Sequence, residues 1–231
     1  AARLKGGPSR DARPLLGGDA VAASHNPTPK AFIERAQALG LQGVTTVLFP
    51  TMARAPDDKG GAARLVSLKA VQAGYPLRGE LTVAGAADPA GTRTREVPRR
   101  GEAWVDRPLL EALGLAPGDL LLLGDATLRI GRVVLLEPDR GTGFSTFAPR
   151  VMIHEADLPA TRLIQPASRV SYRYAVAGPD RAVKSFTQFA TSEASRTDVR
   201  GVRVESLESG RPEMRQTLDR AEKFLNLVAL L

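Results

Sequence analysis

The chain has 231 residues, 43% of them hydrophobic and 25% charged, which is ordinary globular chemistry with length for one large core or two small ones. It has no cysteine, which excludes disulfides, thiol nucleophiles and thiolate metal sites together. Its 32 Lys and Arg against 25 Asp and Glu give a net charge of +7, but the cations are scattered and aromatics are only 5%, which argues against a nucleic-acid partner.

The first residue is Ala1 and no basic-then-apolar leader follows, so the chain reads as a processed product or a piece of a longer protein. GGDAVAAS, 17–24, reads as a short buried strand. NPTPKAFIERAQALG follows as a helix with Thr28 as N-cap, Pro29 at the first helical position and Gly40 as terminator. Two β-rich runs, VTTVLFPTMARA and ARLVSLKAVQ, should pair as a hairpin across PDDKGG, with Pro50 marking an edge or a bulge. Strand, helix, strand, strand is half of a split βαβ layout.

From Tyr75 to about Gln165 short strands predominate: LRGELTV, EAWV, DLLLLG, ATLRIGRVVLLE and RVMIHE, with a brief helix at PLLEALGL. Gly124-Asp125 between two apolar runs marks a hairpin. Trp104 and Tyr75 read as core residues. The knot Arg93, Arg95, Arg99 and Arg100, in a Pro- and Gly-bearing stretch, reads as a solvated loop. Beyond Pro166 the mixed pattern returns: SRVSYRYAVAG as a half-buried strand, PDRAVKSFTQFATSEA as a helix opened by Pro179, and VRGVRVESLE as a strand. The last element begins near Ser209 as an amphipathic helix and loses its polar face after Lys223. Phe224, Leu225, Leu227, Val228, Leu230 and Leu231 are far short of the ~20 apolar residues that span a bilayer, so they either pack as a terminal helix or start a longer one.

No phosphate-binding loop of the GxxxxGKS kind occurs, so nucleotide hydrolysis has no seat in this sequence. His25 and His154 are the only histidines and neither has a partner at metal spacing, Ser145 lies outside a GxSxG elbow, and Asp157 before Leu158-Pro159 reads as a helix cap. No catalytic residue, metal or cofactor is expected. One stretch invites a functional reading: EPDRGTGFSTFAPR carries Phe144 and Phe147 in a Gly-rich, turn-prone segment. Either they fold back into a core or they form an exposed tip suited to a lipid-like cargo or a partner protein.

RLVSLKAVQAGYPLRGEL, AWVDRPLLEALGLAPGDLLLLGDATLRIGRVV, EPDRGTGFSTFAPRVMIHEADLPATRLIQPASRVSYRY and RAEKFLNLVALL together resemble the periplasmic domain of an ABC-transporter permease of the YbbP type, in the FtsX-like group with a MacB-like periplasmic core domain. The resemblance implies an α/β (α+β) fold: a porter-like split βαβ subdomain from 1–75 and 166–231, carrying an inserted β-rich, sabre-like subdomain over 76–165. It also implies two neighbouring ends tethered to transmembrane helices on the periplasmic side of the bacterial inner membrane, 224–231 being the start of the second. Its expected partners are a separate cytoplasmic ATPase subunit, a lipophilic or lipoprotein-like cargo, and a periplasmic lysophospholipase or esterase. The alternative is a free-standing extracytoplasmic binding module for a partner protein.

Overall fold

The computed structural model describes residues 12–141, 147–199 and 201–207. After a one-turn helix α1 (Arg13–Leu16), strand β1 (Ala20–Ser24) is buried along its whole length and leads through helix α2 (Lys30–Ala38) into the long strand β2 (Gln42–Arg54). α2 starts one residue later than its composition predicts. Pro29, not Thr28, occupies the N-cap, and no side chain caps the helix; the Pro29 carbonyl accepts the Phe32 N–H instead.

Strand β3 (Ala63–Val71) pairs antiparallel with β2 from Val47↔Ala70 to Arg54↔Ala63, forming the expected hairpin. Pro50 sits in the middle of β2 opposite Ser67. The Ser67 N–H donates to the Pro149 carbonyl, away from β2. Opposed residues of an antiparallel pair either face each other or both face away, so the donor that Pro50 lacks falls on the far edge of β2. Among the described residues no strand pairs with that edge there, between the pairings that end at Leu48 and resume at Ala53.

Eight more strands follow: β4 (Leu81–Gly85), β5 (Asp88–Thr94), β6 (Glu102–Asp106), β7 (Leu120–Leu123), β8 (Ala126–Leu136), β9 (Arg150–His154), β10 (Ser171–Ala177) and β11 (Arg203–Ser206). Among them lie helices α3 (Arg107–Leu113), α4 (Leu158–Thr161) and α5 (Asp180–Ala194). The stretch expected to be a solvated loop around Arg93 is in part the edge strand β5, paired with β4 through Thr82↔Arg93.

All eleven strands form one sheet, ten in the order β11-β1-β10-β2-β3-β9-β6-β8-β4-β5 and β7 off that path, paired with β2 and β8. At one end β10 lies between β1 and β2, antiparallel to both, and β1 lies between β10 and β11. The units β1-α2-β2 and β10-α5-β11 are therefore two interleaved split βαβ motifs. Phe32 and Ala36 of α2 and Phe186 and Ala190 of α5 fill one core with Ala20, Ala22, Tyr174 and Val176 of the sheet. Ala20 and Ser206 are register partners, so the start of β1 and the end of β11 lie side by side.

The rest of the sheet curls on itself. β7 forms the Gly124-Asp125 hairpin with β8 and also pairs with the far end of β2 through Ala53↔Leu123. With β3–β9 and β6–β8 parallel and β6–β9 antiparallel, the strands β2, β3, β9, β6, β8 and β7 close a six-stranded ring. Alternate residues point inward as a closed barrel requires: Phe49 and Ala53, Val66 and Leu68, Val151 and Ile153, Ala103 and Val105, Leu128 and Ile130, and Leu121 and Leu123 share one buried cluster. Leu109, Leu110 and Leu113 of α3 join that cluster. β2 thus serves twice, its first half in the split βαβ sheet and its second in the barrel. A further cluster on the outer wall joins Trp104, Met152, Val71 and Val134 to Tyr75, Leu77, Leu81 and Val83 and to the back of β1 and β10 through Val21 and Ala175.

Candidate functional site

The expected site stretch EPDRGTGFSTFAPR connects β8 to β9. Phe147 is 87% exposed, the most open large hydrophobic side chain described. The adjoining Ala148 is buried, and the Pro149 carbonyl accepts the Ser67 N–H, which ties the following residues to β3. Of the two aromatics, Phe147 therefore lies at the surface and does not plug the core; Phe144 lies outside the described residues, as do Ser145 and the run 224–231.

The charged residues at the two ends of the same stretch are buried. Arg150 is fully enclosed and grips Glu137 with two hydrogen bonds, Nε to Oε1 at 2.8 Å and the second terminal nitrogen (Nη2) to Oε2 at 3.0 Å. Its other terminal nitrogen (Nη1) reaches the Ser67 hydroxyl at 2.6 Å, 83 positions away in the chain. Lys69, in the middle of β3, donates from Nζ to Glu137 at 2.9 Å, to Asp139 at 3.0 Å and to the Tyr75 hydroxyl at 2.7 Å. Tyr75 passes a hydrogen bond on to Asp139 at 2.6 Å. Arg140 holds Asp106 at 3.2 and 2.7 Å and also donates to the Ala148 carbonyl at 3.2 Å, while the Arg150 N–H donates to Asp106 at 2.8 Å.

Lys69, Arg140 and Arg150 thus face Asp106, Glu137 and Asp139. Burial pushes the Glu137 carboxyl up, but the charges and hydrogen bonds of Lys69 and Arg150 outweigh it and hold the group down at about 2. The Tyr75 phenol is raised well above its ordinary range by burial and by the neighbouring charges of Asp139 and Glu137. At ordinary pH every carboxylate in this network has a cation or a donor beside it, as a buried charge requires. Chemically the arrangement is a closed ionic lattice rather than a reactive group.

From the sequence the stretch stands out for its aromatics, as core plug or exposed tip, and not for its charged base. The available signal was Lys69, a lysine at the centre of the apolar run RLVSLKAV, and the clustering of Glu137, Asp139 and Arg140 just after a buried strand. Trp104 and Tyr75 are buried as expected. The Trp104 indole N–H donates to Glu102 at 2.8 Å. Asp157 occupies the N-cap position of α4 as expected, but its side chain makes no capping bond and instead accepts the Gly101 N–H, 56 positions away, at 2.6 Å. His154 accepts the Ala156 N–H through Nδ1 and caps a single 3-10 turn, whereas His25 sits 3.3 Å from the Val170 carbonyl. Among the described residues no three of His, Cys, Asp and Glu are grouped to hold a metal ion.

No family model matches the chain. Over 229 residues, 99% of this chain, it is 32% identical to the uncharacterized ABC transporter permease YbbP of Escherichia coli (strain K12). The chain is YbbP-like over almost its entire length. It spans 26% of that relative. The periplasmic region of MacB from Actinobacillus actinomycetemcomitans has the same fold, with a TM-score of 0.50 over 94% of this chain and 97% of that one, at 12% identity. The extracellular domain of the noncanonic ABC-type transporter YknZ from Gram-positive bacteria aligns with a TM-score of 0.48 and 14% identity, over 81% of this chain and 100% of that one. The mixed α/β fold of this YbbP-like chain is thus that of the MacB periplasmic region. Among the described residues no helix is long and apolar enough to cross a membrane.

Proposed function

We propose that this chain is a non-catalytic extracytoplasmic domain of a YbbP-type ABC permease. Held on the periplasmic side of the inner membrane by helices flanking it, the domain moves when a separate ATPase subunit in the cytoplasm binds and hydrolyses ATP. Packed elements transmit such displacement with little compression. The cargo is lipophilic or lipoprotein-like, a periplasmic lysophospholipase or esterase is a further partner, and the contact is made by the tip that carries Phe144 and Phe147. One observation carries the reading: the identity to a permease extends over 99% of this chain.

The test uses the full permease with its ATPase in proteoliposomes. Replacing Phe144 and Phe147 by Ser should lower export of a fluorescent lipid or a lipoprotein several-fold while ATP hydrolysis persists. Unchanged export by the double variant would remove the tip from the mechanism, and hydrolysis of ATP or of an ester by this chain alone would overturn the non-catalytic reading.

A further inference from the structure

Phe147 stands on a base that is built unlike an ordinary surface loop. The stretch from Glu137 to Arg150 leaves the end of β8 and re-enters at the start of β9. Its first and last residues are clasped to each other by the two-pronged Glu137–Arg150 pair, in full burial. A second tie lies just inside the first, where Arg140 bridges Asp106 and the Ala148 carbonyl. Ser67 and Lys69 then fasten this pair of ties to the barrel wall. No hydrophobic packing of Phe147 itself is involved, since its side chain is almost wholly in solvent.

We infer that Glu137 and Arg150, with Lys69, Asp139 and Arg140 behind them, are positioning residues that close a neck and hold Phe147 at a fixed place on the barrel wall. The inference rests on the tip being a contact surface, and extends that reading by naming what presents it. An exposed aromatic on a free loop must be ordered each time it binds, whereas one held by a preformed base has already lost that freedom. Buried ion pairs suit this task because their contribution is to geometry more than to net stability: well-packed apolar replacements of similar size often leave stability unchanged or raise it. The forked guanidinium of Arg150 adds direction, because only one orientation satisfies Glu137 and Ser67 together. With the Glu137 carboxyl held down at about 2, the clasp stays ionised throughout the neutral range.

The experiment measures backbone 15N order parameters in this chain, with Ile130 and Val105 in the barrel as internal references. In the unaltered chain the amides of Phe147 and Ala148 should be ordered, at about 0.8, close to the rigid-backbone value of about 0.85. Replacing the clasp by the charge-balanced pair Glu137→Leu with Arg150→Met should lower both below about 0.6. The reference amides and the urea midpoint should stay where they were. Should that pair prevent folding, Arg150→Lys keeps the charge and loses the fork, and should lower the order of Phe147 by itself. A folded variant in which Phe147 stays as ordered as before would show that the neck has no positioning role. An unaltered chain already below 0.6 at Phe147 would overturn the inference as well. Neither result touches the transport test, which fails or succeeds on Phe144 and Phe147 alone.

Discussion

At the scale of single residues, the energetic weight of this chain lies in charges that face inward. Replacing Arg150 by Ala takes two hydrogen bonds from Glu137, leaving the one from Lys69, and strips Ser67 of its Arg150 donor. Breaking a buried pair in this way costs about 3–5 kcal/mol, read as a lower midpoint in urea. The same logic gives a pH dependence. Glu137 has its folded pKa depressed from 4.5 to about 2, so its contribution is complete above about pH 4.5 and is lost as the pH falls toward 2. Denaturation midpoints measured across that window should decline in the unaltered chain and decline less in a charge-balanced variant lacking Glu137 and Arg150. Phe147 is the contrasting case. At 87% exposure its replacement by Ser should change stability by well under ~1 kcal/mol, whereas Trp104→Ala, from a site only 2% exposed, should cost ~3–5 kcal/mol.

Among the elements, β7 matters beyond its length because four residues close the barrel. Leu121 and Leu123 are fully buried in the barrel core, and Leu123 is also the register partner of Ala53. Leu123→Ala should therefore cost ~2–5 kcal/mol, as a cavity at a site with little room to collapse. The β7–β8 turn needs glycine for a definite reason. Gly124 has φ of +55° and a Cβ there would run into the Thr161 carbonyl of α4. Gly124→Ala should lower the thermal midpoint by several degrees, the shift expected for ~1–2 kcal/mol in a domain of this size. A midpoint within a degree of the unaltered chain would show that α4 moves aside freely. At the other extreme, β5 carries Pro89, a left-handed Gly91 and exposed Ala90, Thr92 and Arg93, the features of a sheet edge guarded against further pairing.

Considered as a whole molecule, the portions expected from the sequence, a split βαβ portion of 1–75 and 166–231 and a β-rich portion of 76–165, share one barrel, and we propose that they unfold as one. The barrel takes β2 and β3 from the first and β6 to β9 from the second. One buried cluster mixes Val47, Phe49, Val66 and Leu68 with Leu109, Leu121, Ile130 and Ile153. Excising about 80–165 behind a short linker would uncover those four side chains and remove the acidic partners of Lys69. The remnant should lose cooperative unfolding, and calorimetry of the intact chain should give one transition with equal calorimetric and van't Hoff enthalpies. Two separate transitions would show instead that the portions are thermodynamically independent.

The sequence by itself determined the pieces whose cause is local. Alternation and turn chemistry fixed the β2–β3 and β7–β8 hairpins, three- and four-residue periodicity marked α2, Pro179 opened α5, and the order strand-helix-strand-strand pointed to the split βαβ portion. Phe147 stood out in the sequence as an aromatic in a Gly-rich stretch, with core and surface both open, and only the structure places it at the surface. What the sequence could not show depends on residues far apart in the chain. The parallel pairing of Ser67 with Arg150, the return of Leu123 to Ala53 and the carboxylate of Asp157 on the Gly101 N–H have no local signature. The same holds for the charges of EPDRGTGFSTFAPR, which read as solvated until Lys69 and Ser67 stand opposite them. A charged side chain is buried only where a distant partner offsets its desolvation, and the closed barrel is what brings that partner within reach.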